Sequence, residues 1–319
     1  MQVEVRETQT PREKPAAGEL GFGRVFTDHV FRMDYDAERG WHGARIEPYG
    51  PLALDPAAAS LHYAQAVFEG LKAFRGVDGV VRLFRPERHA ARFARSCERM
   101  CIPRLPEGGF LEAVERAVAQ DLAWVPADEG AALYVRPFVF ATEPFLGVRP
   151  ATRYAFMVLL SPVGPYYAQG FAPVRIWVER RAVRAARGGV GAAKTAANYA
   201  ASLQAATAAK ARGYDQVLWT DAAEHRHLEE VGTMNLFLHV GDEIVTPPLE
   251  AGTILPGVTR ESVIRLLEER GETVVERPIT IDEVIDAHRA GALREVFGTG
   301  TAAVIAPVAA LGLEDGDLT

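Results

Sequence analysis

The chain has 319 residues, of which 48% are hydrophobic and 24% are charged, and its formal net charge is −7. These values are typical of a globular protein of about two domains. The negative charge argues against nucleic acid or an anionic membrane as the main partner. The cysteines Cys97 and Cys101 form no disulfide framework and favour a reducing compartment.

No apolar run approaches the roughly 18 residues of a membrane span, and residues 1–19 lack the apolar core of a signal peptide. We therefore expect a cytoplasmic protein. The segment 162–173 is rich in proline, glycine and aromatic residues and is the best domain boundary. The predicted divisions are a flexible N-terminal tail (1–20), a smaller α/β domain (21–165), an interdomain loop and entry strand (166–180), and a larger domain (181–319).

The first half mixes strands and helices. AVFEGLKAF and GVVRLF flank a turn-like RGVDG, which predicts a hairpin. Pro86 begins a helix to about Met100, because proline suits the first helical position, and another helix covers roughly Phe110–Trp124. ALYVRPFVFAT and RYAFMVLL follow as strands. Pro137 places the first of these at an edge or a bend, because proline cannot donate to a sheet.

The second half begins with a strand at Val174–Glu179, a glycine-rich loop and a helix over about 195–212. The strands QVLWT, MNLFLHV and EIVTP lead to a helix near Val258–Arg270. TVVERPI, a short helix at 281–289 and LREVF follow. Strands outnumber helices, and hairpin-like neighbours mix with α/β pieces. The pattern predicts an α+β protein with two domains and a cleft between them.

The stretch RGGVGAAKTAANYAAS (187–202) has three glycines before a lysine-threonine pair. It is not a nucleotide-phosphate loop, because that motif has glycine directly before the lysine and Ala193 stands there instead. FGTGTAAV superficially fits a dinucleotide fingerprint. Only fifteen residues follow Val304, however, which is too few for the strand and acid that such a fold requires. Lys194 therefore needs another role.

One small ligand, pyridoxal phosphate, uses a lysine, an isolated phosphate site and a carboxylate together. The lysine forms the Schiff base, helix N-termini bind the phosphate, and an acid pairs with the protonated ring nitrogen. LPGVTRESV puts Val258 and Thr259 at a helix start, and EEVGTMNLF carries two carboxylates at a strand-entry turn. The combination predicts a pyridoxal-phosphate site.

Long, ordered motifs carry a resemblance to a known family. GGVGAAKTAANYAAS, EEVGTMNLFLHV, VTPPLEAGTILPGVTRESV and REVFGTGTAAVIAPV closely resemble the branched-chain amino acid aminotransferases, fold type IV of the pyridoxal-phosphate enzymes. LHYAQAVFEGLKAFRG, VRLFRPERHAARF, LYVRPFVFATEPFLGV and SPVGPYY extend the match over about Leu61–Val308, and the subgroup with the animal enzymes is the most similar. The resemblance implies a two-domain α+β fold with the active site in the interdomain cleft and the cofactor on the larger domain.

The resemblance implies a role for each matched residue. Lys194 is the Schiff-base lysine and also moves the proton between the substrate α-carbon and the cofactor. Tyr199 binds the phenolic oxygen of the cofactor, and Glu230 pairs with its ring nitrogen. Glu229 is the adjacent alternative, but only one of two successive strand residues should reach the ring. The remaining cofactor contacts, mostly in the phosphate cup, are Arg92, Thr233, Val258, Thr259 and Thr301.

The implied substrate pocket must hold a branched aliphatic side chain and also accept glutamate. Arg136 resembles the arginine that pairs with the second carboxylate of glutamate. Thr233 and Ala302 lie where backbone groups receive the α-carboxylate. Val148 resembles a residue that reaches the pocket of the neighbouring subunit, so a homodimer is implied. The pocket aromatics of the family are matched by Tyr63, Phe68, Tyr134 and Tyr166.

The chain also departs from the family pattern. The animal mitochondrial enzymes carry a C-x-x-C pair where Ala303 and Ala306 stand here, so no thiol switch is expected. His225 and His227 lack a third ligand nearby, and we expect no metal site. Family members usually continue beyond the position of Thr319, so their C-terminal segment is expected to be absent.

We predict reversible, ping-pong transamination of L-leucine, L-isoleucine and L-valine with 2-oxoglutarate, which gives branched-chain 2-oxo acids and L-glutamate. The expected partners are these small molecules and a second copy of the chain, with no nucleic acid and no membrane. Rival functions on the same fold are a D-amino acid aminotransferase and an aminodeoxychorismate lyase. A non-catalytic metabolite-binding protein is the alternative from another class.

Overall fold

The computed structural model describes residues 1–15, 18–164 and 172–319. The chain forms two compact units, residues 1–168 with 193–196 and residues 169–192 with 197–319. Each unit combines a sheet with helices, which confirms the predicted α+β class. The domain boundaries given above stay a prediction. Within the described ranges, no helix is long and apolar enough to cross a membrane.

The first unit is built on a sheet of eight described strands. Their order is β1-β3-β2-β8-β7-β5-β6, and β4 also pairs with β7. The strands are β1 (Glu4–Val5), β2 (His29–Asp36), β3 (Gly40–Pro48), β4 (Ala66–Phe68), β5 (Leu71–Arg75), β6 (Val81–Leu83), β7 (Ala132–Ala141) and β8 (Arg153–Val163). The helices are α1 (Ala59–Tyr63), α2 (Pro86–Arg99) and α3 (Gly109–Gln120). Although β1 falls in the predicted tail, it runs parallel to β3.

The core of the first unit lies between its two longer helices and the sheet. Phe93 of α2 and Phe110 of α3 pack against Phe156 of β8, with ring centroids 5.6 and 6.3 Å away. All three rings are buried, and burial of each contributes about 1.5–3 kcal/mol. Cys97 joins this core, and burial raises the pKa of its thiol, which suits a packing role.

The prediction that Pro137 places β7 at an edge or a bend is wrong. β8 pairs with β7 along its whole length, while β5 and β4 pair with its other side. Pro137 lies opposite the break between β4 and β5, where its carbonyl accepts a hydrogen bond from Glu69 N–H at 2.7 Å. The nitrogen of a strand residue faces the same side as its carbonyl. The missing N–H therefore falls at this break, and no strand loses a ladder bond.

The second unit is built on a sheet of nine described strands. Their order is β11-β10-β9-β16-β15-β12-β13-β14, and β17 pairs with β16. The strands are β9 (Val174–Glu179), β10 (Gln216–Thr220), β11 (Leu228–Val231), β12 (Met234–Val240), β13 (Glu243–Thr246), β14 (Val274–Glu276), β15 (Leu293–Gly300), β16 (Val304–Leu313) and β17 (Gly316–Leu318). The helices are α4 (Ala196–Ala211), α5 (Val258–Glu269) and α6 (Ile281–Arg289).

The strand β11 closes part of this second sheet into a ring. It pairs with β10 on one side and with β12 on the other. The strands β10, β9, β16, β15, β12 and β11 therefore form a continuous cycle, and all four residues of β11 are buried. A closed sheet leaves no free edge. Glu229 and Glu230 are consequently fixed inside the unit.

Candidate active site

The backbone of Lys194 is fixed within the first unit. Its N–H donates to Ser96 Oγ of α2 at 2.9 Å, and its carbonyl accepts from Phe68 N–H of β4 at 3.0 Å. The next residue, Thr195, donates its hydroxyl to the Ala66 carbonyl at 2.8 Å. These bonds to a helix and a strand hold the Cα from which the lysine side chain extends.

Phe68 is the centre of an aromatic and cationic cluster in the first unit, which we call the Phe68 cluster. Lys194 Nζ lies 4.9 Å from its ring centroid, and the guanidinium carbon of Arg136 lies 4.7 Å from it. Arg136 Nη2 donates to the Tyr134 hydroxyl at 3.1 Å, and Phe22 packs edge-on against the Tyr134 ring at 5.0 Å. The cluster brings together the predicted site residues Phe68, Tyr134, Arg136 and Lys194.

Two other predicted pocket residues, Tyr63 and Val148, do not join this cluster. Val148 is 86% exposed, and the Tyr63 hydroxyl donates to the Leu146 carbonyl on the same exposed segment. In the part of the chain that the structure describes, no contact links Tyr63 or Val148 to Phe68. Tyr166 lies outside the described residues.

Arg92 is bound by a carboxylate that sequence reasoning missed. Arg92 Nε and Nη2 donate to the two oxygens of Glu69 at 2.7 and 2.8 Å, and His89 Nδ1 lies 2.9 Å from Glu69 Oε2. Burial alone would raise the pKa of Glu69. The charge and hydrogen bonds of Arg92, together with those of His89, instead hold it well below its ordinary value. The available signal was an acid between the apolar halves of AVFEGLKAF.

In the second unit, Glu230 is buried on β11, where polar groups of Arg184, Leu255 and Asn235 contact it. Arg184 Nε lies 2.8 Å from Glu230 Oε2, and Leu255 N–H donates to Oε1 at 2.8 Å. Asn235 Nδ2 lies 3.4 Å from the same Oε1 and donates to the Leu255 carbonyl at 2.9 Å. A countercharge and hydrogen-bond donors favour the ionised form of a buried carboxylate. These contacts of Glu230 are of the kind that an ionised carboxylate accepts.

Sequence reasoning also missed Arg184. Its Nη2 donates to the Gly191 carbonyl at 3.2 Å and to the Thr253 carbonyl. The Nε atom has no partner of hydrogen-bond geometry among the described residues, so the contact with Glu230 is an ion pair. RRAVRAAR contains four arginines in eight residues, and their spacing does not distinguish the buried one.

The neighbouring carboxylate, Glu229, has a different environment. It lines a cavity of about 550 Å³ in the second unit, together with Ile254 and Pro247. Burial raises the pKa of Glu229, and the nearby Thr253 hydroxyl and the charge of Arg184 oppose that rise only in part. Successive side chains of a strand face opposite ways. The two acids of β11 therefore lie in different surroundings.

The predicted phosphate residues Val258 and Thr259 begin α5. The residue before them, Gly257, has no side chain that could cap the N–H groups of the first helical turn. An anion at this end would satisfy those groups and interact favourably with the helix dipole. Leu255, which binds Glu230, lies three residues before Val258. One short loop therefore connects the buried acid to the helix start.

The turns with Thr233 and Thr301–Ala302 lie at the same end of β12 and β15. The antiparallel register, which pairs Asn235 with Thr299, places them side by side. Thr299 Oγ1 is buried and has no hydrogen-bond partner in residues 1–15, 18–164 and 172–319. Tyr199 lies in the first turns of α4 and is half-buried. The second unit thus brings together the predicted residues Glu230, Thr233, Val258, Thr259, Thr301 and Ala302.

Residues 66–311 match the profile of the family described as amino-transferase class IV, which is more than half of the chain. The chain belongs to the class IV aminotransferases. This aminotransferase is 53% identical to branched-chain-amino-acid aminotransferase 2 of Bacillus subtilis, over 99% of this chain and 87% of the relative. It is 52% identical to the branched-chain-amino-acid aminotransferase of Mycobacterium tuberculosis, over 91% and 80%. Within its class, the enzyme belongs with the branched-chain-amino-acid aminotransferases.

Solved structures agree with the fold of this aminotransferase. A branched-chain aminotransferase of Thermoproteus uzoniensis with norvaline is 28% identical and has a TM-score of 0.73, over 89% of this chain and 86% of that one. A second solved branched-chain amino acid aminotransferase, with pyridoxamine 5'-phosphate, is 26% identical and has a TM-score of 0.72, over 92% and 86%. The predicted fold type IV is confirmed.

We expect Glu230→Gln to lower the free energy of unfolding of this aminotransferase by about 3–5 kcal/mol, because it leaves the buried Arg184 without its countercharge. Glu229→Gln is the matched control on the same strand. Burial already favours the neutral form of Glu229, so its change should stay within about 1 kcal/mol. Urea unfolding of the ligand-free protein measures both values. Equal losses in the two variants would contradict the Glu230–Arg184 pair.

Proposed function

We propose that this aminotransferase transfers the amino group of L-leucine, L-isoleucine and L-valine to 2-oxoglutarate, reversibly and by a ping-pong mechanism, with pyridoxal 5'-phosphate as cofactor. The observation that carries the proposal is the buried Glu230, joined through Leu255 to the start of α5. The names of the relatives support the branched-chain substrates. The pyridoxamine 5'-phosphate of the second solved structure supports the cofactor.

The residues of the second unit fit this cofactor. When bound, it supplies an electron sink for the substrate α-carbon. An ionised Glu230 would keep the ring nitrogen protonated, and the uncapped N–H groups of Val258 and Thr259 would bind the phosphate. The Thr299 hydroxyl at this end of β15 is buried and has no hydrogen-bond partner among the described residues. The further residues that would hold the cofactor are Arg92, Tyr199, Thr233 and Thr301.

Lys194 would hold the cofactor covalently through Nζ and would then carry the proton from the substrate α-carbon. Both tasks require the same amine to move over a short distance and return. The hydrogen bonds of its backbone to Ser96 and Phe68 keep the Cα in place during this movement. The Phe68 ring, 4.9 Å from Nζ, excludes water from one side of the amine. A fixed Cα and the exclusion of water from one side of the amine favour repeated proton transfer along one path.

The Phe68 cluster fits the two side chains that the substrates present in turn. Its rings can bury a branched aliphatic group, which gains about 0.8 kcal/mol for each methylene removed from water. Arg136 Nε is buried and has no hydrogen-bond partner among the described residues. A second carboxylate, as in glutamate or 2-oxoglutarate, would satisfy it. Backbone groups of Thr233 and Ala302 would receive the α-carboxylate common to all the substrates.

We also propose a homodimer in the cytoplasm, with no nucleic acid or membrane as partner. An exposed apolar surface supports the dimer, and we call it the α1 surface. The Phe145 N–H donates to the Ala57 carbonyl at 3.0 Å, which joins the segment 143–148 to the start of α1. Contiguous exposed apolar groups of this kind mark interfaces. The exposed members are Leu61, Tyr63, Phe145, Leu146 and Val148.

Borohydride reduction of the holoprotein tests the central assignment. We expect a single cofactor adduct, located on the Lys194 peptide by mass spectrometry, and a visible absorption band that changes on addition of leucine but not of D-alanine. Lys194→Ala should lose the adduct and lower transamination by on the order of 10⁴-fold or more. Lys210→Ala, an exposed lysine of α4, is the control and should retain both. An adduct on another lysine would overturn the assignment.

We expect Arg136→Gln to separate the two half-reactions. It should lower kcat/KM for 2-oxoglutarate by about 10- to 100-fold, because a hydrogen bond between charged groups contributes about 1.5–3 kcal/mol. The half-reaction with leucine, which has no second carboxylate, should change by less than about threefold. Arg153→Gln, an exposed arginine at the start of the neighbouring strand β8, is the control. Equal losses with both substrates would refute the carboxylate role.

A charge on the α1 surface should disrupt the dimer. We expect Leu146→Asp to shift the protein toward a monomer in sedimentation velocity, because an interface must desolvate the new carboxylate. Leu146 and Leu203 are 63% and 65% exposed. Leu203→Asp on α4 is therefore the matched control and should leave the sedimentation coefficient unchanged. A monomeric wild-type protein, or a dimeric Leu146→Asp variant, would exclude this surface as the interface.

A further inference from the structure

Glu69 and His89 surround Arg92 in the first unit, and neither is among the residues assigned to the site above. We propose that Glu69 is the positioning residue that orients the Arg92 guanidinium for the phosphate of the cofactor, with His89 supporting the carboxylate. This inference rests on the proposed pyridoxal-phosphate function. It deepens that function by naming what fixes its phosphate arginine.

The contact between Glu69 and Arg92 has the geometry that fixes orientation. Both carboxylate oxygens are used, one by Nε at 2.7 Å and one by Nη2 at 2.8 Å. A two-point contact sets the plane of the guanidinium as well as its distance, which a one-point contact does not. An arginine has five N–H groups in one rigid plane. Fixing two of them on Glu69 therefore also fixes the directions in which the others point.

Glu69 is itself fixed from several directions. His89 Nδ1 lies 2.9 Å from Oε2, and Gly70 N–H donates to the same oxygen at 3.2 Å. Its backbone N–H donates to the Pro137 carbonyl at 2.7 Å. The residue is 0% exposed, so the carboxylate cannot turn toward water. Glu69 is therefore held against the strand β7. Its two bonds to Arg92 in turn fix that side chain of α2.

The same contacts relate Arg92 to Lys194. Ser96 follows Arg92 by one turn of α2, and its hydroxyl binds the Lys194 N–H at 2.9 Å. Phe68 precedes Glu69 directly, and its N–H binds the Lys194 carbonyl at 3.0 Å. Each member of the Glu69–Arg92 pair is thus one residue or one turn from a group that holds the lysine backbone. The pair therefore fixes the position of Arg92 relative to the backbone of Lys194.

The charge balance distinguishes orientation from attraction. Glu69 carries one negative charge and cancels the charge of Arg92, so it cannot strengthen the net attraction for a phosphate. If Glu69 acted only by weakening the attraction of Arg92 for the phosphate, Glu69→Gln would tighten phosphate binding. An orienting residue gives the opposite result, because both the neutral Glu69→Gln and the shortened Glu69→Asp lose the two-point geometry.

The test compares pyridoxal phosphate with pyridoxal, which lacks the phosphate, on the full chain stripped of cofactor. Quenching of tryptophan fluorescence gives Kd for each. We expect Glu69→Asp and Glu69→Gln to raise Kd for pyridoxal phosphate by about 10- to 100-fold, the usual effect of losing an outer partner of a binding group. Kd for pyridoxal should change by less than about threefold. Glu87→Asp, an exposed glutamate of α2, is the control.

His89→Gln provides a second, milder variant in case the Glu69 variants do not fold. It removes one support of the carboxylate and should raise Kd for pyridoxal phosphate alone, by a smaller factor. Unchanged Kd values, tighter binding by Glu69→Gln, or equal losses for pyridoxal and pyridoxal phosphate would each overturn the positioning role. A wild-type chain that binds neither compound would overturn the proposed function as well, and this outcome is distinct from a wild-type chain that binds both.

Discussion

Two buried carboxylate–arginine pairs fix the architecture around the candidate site, because a charge inside a protein is costly unless it is paired. Glu69 pairs with Arg92 in the first unit, and Glu230 pairs with Arg184 in the second. In both cases the arginine comes from another element than the acid, so each pair ties a strand end to a helix or a loop. Loss of one member of such a pair costs about 3–5 kcal/mol. The pairs therefore constrain the positions of the residues next to Glu69 and Glu230 in the chain.

Both acids occupy places where the pairing of a sheet is irregular. Glu69 lies in the break between β4 and β5. Glu230 lies on β11 where the register with β10 shifts between the Val231–Leu218 and Leu228–Thr220 pairs. Regular strands use their N–H groups on neighbouring strands. Outside such ladders, N–H groups such as those of Gly70 and Leu255 can bind a carboxylate instead. Irregular backbone thus supplies the donors that make an ionised acid tolerable inside an apolar core.

Local signals in the sequence predict most helices and strands. They do not predict the ion pairs between residues that are distant in the sequence. Pro86 at a helix start and the strand Val174–Glu179 are visible in a few neighbouring residues. The edge prediction for Pro137 failed because the break that accommodates it lies in other strands, about 70 residues earlier. Glu69 lies 23 residues from Arg92, and no local pattern reveals that they meet. The family resemblance, and not periodicity or spacing, indicates Arg92 and Glu230.

The two glutamates of β11 are the same residue type in different environments. Glu230 receives a guanidinium and a backbone N–H, whereas burial in a cavity raises the pKa of Glu229. A slip of β11 by one residue would exchange these environments, because alternate side chains face opposite sides. The strand is paired on both sides, with Glu230 opposite Asn235 on β12 and Val231 opposite Leu218 on β10. Closure of the ring prevents the slip and so determines which carboxylate contacts the Arg184 guanidinium.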